Sequence, residues 1–426
     1  MRSALRLAEF DLARREAEML LAAAPADSEA QTLHGDALWA TGLFDEADAA
    51  YRAALAVAPG SSRARLGVAR SLATRTRLSE ALEEALAAAA VSPGDAEVHA
   101  LLGLVYERLG RFDEAADAYD RYTALLPNPA DTMGAVFAAK VRLLRSFEGR
   151  VPLLVDEKAR TRAHRVPFKL INKKILLQGR LNNVAVEFVL DTGAERTGIT
   201  RMTARRAGIV PVTTTLTAGV GVGTVRRLDL ARADRLEIGS FRIRNVPVSV
   251  RNPAPNAMPR WQSETFSPIS LGLSVVVDYQ RREVTLAHAL PEAPADVRLP
   301  MRVNRLPMVR GLLNSTHPAY FVVDTGGELI SISAETASSL SMVPVRRIPL
   351  RVYGMSGWDT EAFLLPGVDL DFDAIEYRKV GLAVLNLRAP SVLLGFQLGG
   401  IVGHEFLSDY RVTMDVRRSE LRLEKF

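Results

Sequence analysis

The segment FVLDTGAERTGIT, residues 188–200, sets a short apolar run directly before Asp191, Thr192 and Gly193. Taken alone, this pattern is typical of a strand that ends in a turn, because Asp side chains often accept backbone hydrogen bonds there. A second copy changes the interpretation. The segment YFVVDTGGELISIS, residues 320–333, has the same order of residue types, and its aspartate is Asp324.

The sequences around the two copies also match. The segment ISLG ends at Gly272 and GIVG ends at Gly403, at nearly the same distance along the chain from the aspartate of each copy. Each is followed by an alternating strand-like segment, VVVDYQRREVTL and RVTMDVRRSELRL. A glycine-bearing segment recurs midway, at 218–224 and 353–358. Many short alternating segments separated by Gly, Pro and Asn turns indicate an all-β region.

This doubled pattern resembles the aspartic proteases, in particular the retropepsin-like lobes of bacterial aspartyl protease family proteins. The resemblance extends over residues 165–426. It implies an all-β pepsin/retropepsin-like double lobe, with lobe 1 at 165–290, a linker at 291–297 and lobe 2 at 298–426. PEAPAD, residues 291–296, has the composition of a linker.

The resemblance assigns a pair of catalytic carboxyl groups, one from each lobe, to Asp191 and Asp324. Two carboxyls held close together share one proton and can supply both a base and an acid. Thr192 and Thr325 would hydrogen-bond across the lobes to make the loops rigid. Gly193 and Gly326 would allow backbone amides to approach the carboxyls, where a β-carbon would obstruct. We expect an optimum for activity on the acidic side.

The resemblance further implies flaps that close over a bound peptide and strands that back the active-site loops. Trp358 could line the cleft or merely cover the flap hairpin, and both interpretations stay open. The flap or substrate-binding residues are Gly219, Gly221, Gly223, Gly354, Gly357 and Trp358, and the loop-backing residues are Leu271, Gly272, Val402 and Gly403.

The lobes differ after those glycines. The interval from Gly403 to Asp415 is twice as long as the interval from Gly272 to Asp278. The sequence therefore predicts that lobe 1 lacks the helical turn expected after the glycine, and this deletion favours an inactive or unusual protease.

The N-terminal third is a different repeat. Pro25, Pro59, Pro93 and Pro127 recur at one constant spacing, which is shared by Phe10, Phe44, Leu78 and Phe112. The spacing and residue types resemble the tetratricopeptide repeat, whose period is about 34 residues, over residues 1–128. This implies an all-α solenoid of helical hairpins, with a capping helix and linker at 129–150. Such repeats suit either the recruitment of protein partners or substrates, or a role as a dimerisation or spacer module.

Composition excludes several other classes of site. Cysteine is absent, so disulfides, cysteine nucleophiles and thiolate metal sites are excluded. The six histidines never take the spacing of a helical zinc site, and we expect neither a metal nor a cofactor. Residues 1–128 have a net charge of −7 and the remainder +12, but the basic residues form no run, so we expect no nucleic-acid partner.

No apolar run is long enough for a membrane-spanning helix, and the start of the chain does not have the pattern of a secretory signal. We therefore expect a cytoplasmic protein, or a periplasmic or secreted one if the true N-terminus lies upstream.

Three functional hypotheses remain from the sequence. In the first, the chain is an aspartic endopeptidase whose two lobes pair within the chain. In the second, it is a catalytically inactive scaffold or peptide-binding protein of the same fold. In the third, each lobe pairs with its equivalent in another chain.

Overall fold

The computed structural model describes residues 9–221, 225–251, 264–340 and 347–426. Its N-terminal part is a run of antiparallel helical hairpins. The helices are α1 Phe10–Ala23, α2 Ser28–Ala40, α3 Phe44–Val57, α4 Ser62–Thr74, α5 Leu78–Val91, α6 Ala96–Arg108, α7 Phe112–Leu125, α8 Thr132–Arg145 and the short α9 Glu157–Arg160. In the described part of the chain, no helix is long and apolar enough to cross a membrane.

The regular spacing of the repeats has a local cause in each hairpin. The helices α2, α4 and α6 begin after Asp27, Ser61 and Asp95, whose side chains accept a hydrogen bond from an N–H of the first turn. Within the hairpins, small residues make room for tyrosines. A β-carbon on Gly35 or Gly103 would overlap the ring of the tyrosine that packs against it, Tyr51 or Tyr119.

The remainder is built from strands in two lobes. The strands of lobe 1 are β1 His164–Ile171, β2 Lys174–Leu181, β3 Val184–Leu190, β4 Gly198–Thr200, β5 Pro211–Thr217, β6 Arg226–Ile238, β7 Phe241–Arg251, β8 Thr265–Phe266, β9 Ser274–Asp278 and β10 Glu283–Ala287. Helix α10 Arg201–Arg206 follows β4, and a 3-10 turn, Ile269–Leu271, follows β8.

Lobe 2 has a similar order. Its strands are β11 Val297–Asn304, β12 Leu306–Leu313, β13 His317–Val323, β14 Ile330–Ser333, β15 Ile348–Pro349, β16 Val352–Gly354, β17 Gly357–Asp359, β18 Phe363–Phe372, β19 Ile375–Leu385, β20 Gly400–Val402, β21 Tyr410–Asp415 and β22 Glu420–Lys425. Its helices are α11 Ala334–Ser339, α12 Arg388–Leu394 and α13 His404–Leu407.

A shared antiparallel sheet joins the lobes. Its strand order is β1, β10, β9, β21, β22, β11, so each lobe contributes half of the strands. The central pairing aligns Val277 with Val412 and Val275 with Met414. All four side chains are fully buried in one core that is continuous through both lobes. The lobes of one chain therefore pair with each other.

The strand behind the first Asp-Thr-Gly loop is not where the sequence placed it. Strand β8 pairs in parallel with β3 as β20 pairs with β13, so Phe266 corresponds to Val402 and Ser267 to Gly403. Leu271 and Gly272, predicted to form this strand, instead lie in and after the 3-10 turn, with Gly272 in a left-handed conformation at φ 70°. The assignment of these two residues is wrong, because ISLG and GIVG are alike in composition and not in position.

The predicted deletion in lobe 1 is wrong for the same reason. Once Ser267 is aligned with Gly403, the interval from Ser267 to Asp278 is only one residue shorter than the interval from Gly403 to Asp415. The 3-10 turn of lobe 1 takes the place of α13 in lobe 2. Both lobes therefore have a helical turn behind the active-site loop.

The helical repeats pack against the lobes along the edge formed by the turns within each hairpin. Phe44 is fully buried, and its ring lies edge-on to Trp39, Tyr320 and Phe396, with centroid distances of 4.7, 4.8 and 5.1 Å. A polar contact flanks this aromatic cluster, since the Tyr320 hydroxyl donates to Asp45 at 2.6 Å. The repeats and lobe 2 thus share a buried interface.

Truncating Phe44 to Ala is expected to lower the free energy of unfolding by about 3–5 kcal/mol, because it leaves a cavity between the repeats and lobe 2. Thermal unfolding followed by circular dichroism measures this. Leu86→Ala, at a side chain that is 46% exposed on α5, is the control and should have little effect. Equal stabilities of the two variants would show that the contact between repeats and lobe 2 adds nothing to stability.

Candidate active site

Equivalent strands deliver the two aspartates to the junction of the lobes. Asp191 follows β3, and its N–H donates to the Phe266 carbonyl at 2.9 Å. Asp324 follows β13, and its N–H donates to the Val402 carbonyl at 3.0 Å. Each aspartate is thus held at the end of a buried strand by the strand behind it.

Thr192 and Thr325 link the two loops through crossed hydrogen bonds. The Thr192 hydroxyl donates to the Val323 carbonyl at 2.7 Å and accepts from the Thr325 N–H at 3.0 Å. In the reciprocal direction, the Thr325 hydroxyl donates to the Leu190 carbonyl at 2.8 Å and accepts from the Thr192 N–H at 3.2 Å. Both threonines are buried. The loops therefore cannot separate without breaking bonds in a site closed to water.

The glycines of both motifs let the carboxyls approach each other. A β-carbon on Gly193 would overlap the carboxyl of Asp324, and one on Gly326 would lie 2.8 Å from Asp191 Cγ. That β-carbon on Gly326 would also lie 3.1 Å from Asp324 Oδ1, so the two carboxyls are close neighbours. Two ionised carboxylates so close together in a buried site would repel each other, which favours the retention of one proton by the pair.

The two carboxyls differ in their surroundings. Burial, and next the charge of Asp324, raises the pKa of Asp191 to about 7. Burial also raises the pKa of Asp324, but the backbone N–H groups of Gly326, Gly327 and Gly193 favour its ionised form. One of these bonds, Gly326 N–H to Asp324 Oδ1, is 2.7 Å long. Backbone hydrogen bonds thus favour a negative charge on Asp324, whereas burial and the neighbouring charge favour a proton on Asp191.

Two cations near the pair are functional candidates that the sequence reasoning missed. Lys174, at the start of β2, donates to the Gly326 carbonyl at 2.6 Å and pairs with Glu328 at 3.1 Å. Arg251, at the end of β7, is buried and donates to Thr265 Oγ1 at 2.7 Å. The charges of both cations lower the pKa of the first aspartate. No sequence signal separates them from the many other basic residues of these lobes.

The two glycine-bearing segments meet tip to tip. The Gly219 N–H donates to Ser356 Oγ at 3.0 Å, and the Ser356 N–H donates to the Val220 carbonyl at 2.9 Å. Gly221 and Gly357 have φ of 137° and 107°, where only glycine is free of strain. Ser356 is buried in this contact, and sequence reasoning missed it.

Gly223, predicted to belong to the first flap, lies outside the described residues. Gly354 and Trp358 belong to the second flap, which is the hairpin of β16 and β17. Gly354 is close-packed against the Val220 carbonyl of the first flap. The Trp358 ring is 49% exposed and lies 5.1 Å from Tyr353, its cross-strand partner on the same face of the hairpin.

The predicted backing residues of lobe 2 lie where the sequence placed them. Val402 is in β20, and its carbonyl accepts from the Asp324 N–H. The Gly403 N–H donates to the Leu329 carbonyl at 3.1 Å, so both residues lie behind the second loop.

No group of three or more His, Asp or Glu residues in the described ranges is arranged to hold a metal ion. The arrangement instead offers two buried carboxyls, loops that hydrogen bonds link to each other, and two glycine-bearing segments in contact with each other. Such a pair of carboxyls can take a proton from one group and give a proton to another without a cofactor.

Comparisons with known proteins agree with this architecture. Residues 177–275 match the aspartyl protease family, and residues 2–62, 32–95 and 69–128 match the tetratricopeptide repeat. No curated protein matches the chain. The described fold and these matches make the chain a run of tetratricopeptide-type repeats followed by an aspartic-protease-like double lobe, which confirms the predicted fold class.

Two solved structures are similar to parts of the chain. The aspartic proteinase from Irpex lacteus has 13% sequence identity and a TM-score of 0.40, with 62% of this chain and 97% of that one covered. The crystal structure of MamA has 22% identity and a TM-score of 0.27, with 33% of this chain and 79% of that one covered.

Replacing Thr192 by Val is expected to destabilise the protein, because it orphans the buried Thr325 N–H and Val323 carbonyl. Each orphaned group costs about 1–3 kcal/mol. Chemical denaturation measures the loss, with Thr360→Val, at an exposed position, as the matched control. If the two variants unfold at the same denaturant concentration, the crossed hydrogen bonds do not hold the lobes together.

Proposed function

We propose that this chain is an aspartic endopeptidase, in which Asp191 and Asp324 activate one water molecule for attack on a peptide carbonyl. The observation that supports the proposal is the close approach of two buried carboxyls, one from each lobe, in which the charge of Asp324 helps to raise the pKa of Asp191. Peptide hydrolysis by such a pair needs no metal and no nucleophilic side chain.

In the proposed reaction, Asp324 is the general base and protonated Asp191 the general acid. Asp324 takes a proton from the water as the water oxygen bonds to the peptide carbon. Asp191 gives its proton to the carbonyl oxygen, which yields a neutral tetrahedral intermediate and exchanges the protonation states of the two aspartates. Collapse of the intermediate re-forms the carbonyl and breaks the C–N bond. The leaving nitrogen takes the proton from Asp324, and Asp191 regains a proton from the intermediate's hydroxyl.

The flaps suit a substrate in extended conformation. Closure of the tips over a bound peptide would exclude bulk water from the carboxyls. Ser356 joins the two tips through its hydrogen bonds with residues 219–220, so the tips must part before a peptide enters. Trp358 remains a candidate for substrate contact.

The helical repeats are proposed to recruit protein partners or substrates. Repeats of this type support protein interactions through surfaces that single domains do not offer. Here the edge formed by the turns within the hairpins contacts the lobes, as the bond from Gln397 N–H to the Ala40 carbonyl at 2.8 Å illustrates. A partner would therefore bind to the surface of the repeats that faces away from that edge.

The alternative hypothesis, that the chain is an inactive scaffold or peptide-binding protein, was favoured by an apparent deletion after Gly272. The alignment of Ser267 with Gly403 removes that support. The family match over residues 177–275 includes the first aspartate and favours a hydrolase.

Asp191→Asn and Asp324→Asn are each expected to abolish cleavage of a peptide library while the protein stays folded, because each removes one group of the acid–base pair. Mass spectrometry of the products measures cleavage, and circular dichroism checks folding. The matched control is Asp234→Asn, at a side chain that is 74% exposed, which should leave turnover unchanged. Wild-type turnover in either dyad variant would contradict the proposal.

The pH dependence of kcat/KM should have an alkaline limb near pH 7, because activity requires the proton on Asp191, whose pKa is raised to about 7. Lys174→Met should move this limb to higher pH, since the ammonium charge lowers the pKa of Asp191. A pH profile between acid and mildly alkaline conditions on one peptide measures both. A limb that lies at the same pH in both proteins would mean that another group controls the decline.

The raised pKa of Asp191 also affects the free energy of unfolding. In the unfolded chain Asp191 ionises at its ordinary pKa of 3.8, below its value in the folded state. The folded state therefore holds the proton over a range where the unfolded state has lost it, and the free energy of unfolding falls as pH rises from about 4 to about 7. In Asp191→Asn this decline should be reduced, as chemical denaturation at a series of pH values would measure.

A further inference from the structure

The two active-site loops, residues 191–197 in lobe 1 and 324–330 in lobe 2, are supported in different ways. In lobe 2 the helical turn α13 holds the loop through its backbone. The His404 N–H donates to the Gly327 carbonyl, and the Glu405 N–H donates to the Glu328 carbonyl, both at 3.0 Å. The support that α13 gives to the second loop thus comes from its own lobe.

In lobe 1 the first of these donors is missing, because Pro268 stands where lobe 2 has His404. Proline has no N–H to donate. The Ala194 carbonyl, which corresponds to that of Gly327, accepts instead from Ser267 Oγ at 2.5 Å. At this position the first loop is therefore held by a side chain, where the second loop is held by the backbone of α13.

Ion pairs from outside lobe 1 hold the next two residues of this loop. Glu195 receives a bidentate contact from Arg305, with Nη2 at 2.7 Å from Glu195 Oε1 and Nε at 2.9 Å from Glu195 Oε2. Arg305 lies in the turn between β11 and β12 of lobe 2. Arg196 pairs with Glu107 of α6, at 3.5 Å between Nη2 and Oε1. One side chain of the loop is thus tied to lobe 2 and the next to the helical repeats.

Glu107 is itself held firmly within the repeats. Its carboxylate accepts from the Tyr119 hydroxyl at 2.9 Å and pairs with Lys140 Nζ of α8 at 3.3 Å. The side chains of Glu107, Arg196 and Lys140 are only 22%, 16% and 11% exposed. Although burial alone would raise the pKa of Glu107, Lys140 and Arg196 lower it to about 2, so the carboxylate is charged at neutral pH.

We propose that Glu107 is a positioning residue for catalysis, through which the helical repeats hold the loop that carries Asp191. Glu107 does not touch substrate; it acts through Arg196, which lies in the same loop as the aspartate. The inference rests on the proposed peptidase function for its effect on rate. It does not depend on that function for its effect on the loop.

A regulatory consequence follows from this arrangement. A protein that binds the repeats and displaces α6 or α8 would move Glu107 relative to Arg196, and the loop of lobe 1 would lose one of its external supports. Binding to the repeats would then change turnover without contact with the cleft.

The experiment compares Glu107→Gln and Arg196→Gln with the control Glu46→Gln. The control removes the same charge from the repeats and breaks the contact with Arg310, far along the chain from the loop. Two quantities are measured on the full chain: kcat and KM on a peptide substrate, and hydrogen–deuterium exchange in peptides that span residues 188–200.

Glu107→Gln should lower kcat by about tenfold or more with KM within about twofold of wild type, because small displacements of catalytic groups are costly in rate. Exchange in residues 188–200 should be faster, whereas exchange in residues 320–333 should be unchanged. The double variant should be no worse than the more affected single variant, since both act on one contact. The control should match wild type in all respects.

If exchange in residues 188–200 is the same in Glu107→Gln, Arg196→Gln and the control, the proposal is wrong. If the wild type cleaves nothing yet exchange changes as expected, the peptidase function fails and the positioning of the loop stands. Arg196→Gln leaves the contacts of Glu107 with Tyr119 and Lys140 in place, so it also decides the case in which Glu107→Gln fails to fold.

Discussion

Two buried carboxyl groups, one from each lobe, lie close together at the junction of the lobes, and the surrounding structure is organised to hold them there. Two ionised carboxylates at this distance would repel each other strongly in a buried site, so the contact is stable only while one proton is retained. The crossed bonds of Thr192 and Thr325 hold the two loops together, and Gly193 and Gly326 make the approach sterically feasible. The close approach of the two carboxyls therefore underlies both their acid–base properties and the contacts that hold the two loops together.

The need to hold the two carboxyls together also explains why the contacts of the helical repeats with both lobes matter. The shared sheet holds the lobes together at one end, and the crossed threonines hold them at the loops. The helical repeats add a third attachment, since they pack on lobe 2 through Phe44 and reach the lobe 1 loop through Glu107. The repeats are part of the rigid surroundings of the site and are not merely a tethered adaptor.

Much of the fold could be predicted because its signals are periodic. The constant spacing of the prolines and the doubled Asp-Thr-Gly frame each repeat a local requirement of the backbone, and a single sequence displays such repeats directly. The position of the backing strand could not be predicted. The segments ISLG and GIVG have similar residues but do not occupy equivalent positions. The true backing strand, β8, is very short, and its Phe266 and the following Ser267 do not resemble Val402 and Gly403.

The electrostatic surroundings of the site were also beyond the sequence. Lys174 and Arg251 act on the carboxyls from strands that precede and follow the loop by many residues, and Glu107 contacts Arg196 of the loop from the helical repeats. Charges that meet only in the folded protein produce no regular spacing in the sequence. The packing of Phe44 on Tyr320 could not be predicted either. Aromatic residues at that position of the repeat also pack within the solenoid, so Phe44 gives no separate signal of a contact with lobe 2.

The protonation state of the pair is the central claim, and it can be measured without any substrate. Carbon-13 NMR of aspartate carboxyls, with Asp191→Asn and Asp324→Asn used for assignment, follows the titration of both groups in the folded protein. The account predicts two coupled steps, the upper one near pH 7, with one proton held by the pair at neutral to mildly acidic pH. Two independent titrations near the ordinary aspartate pKa of 3.8 would contradict it.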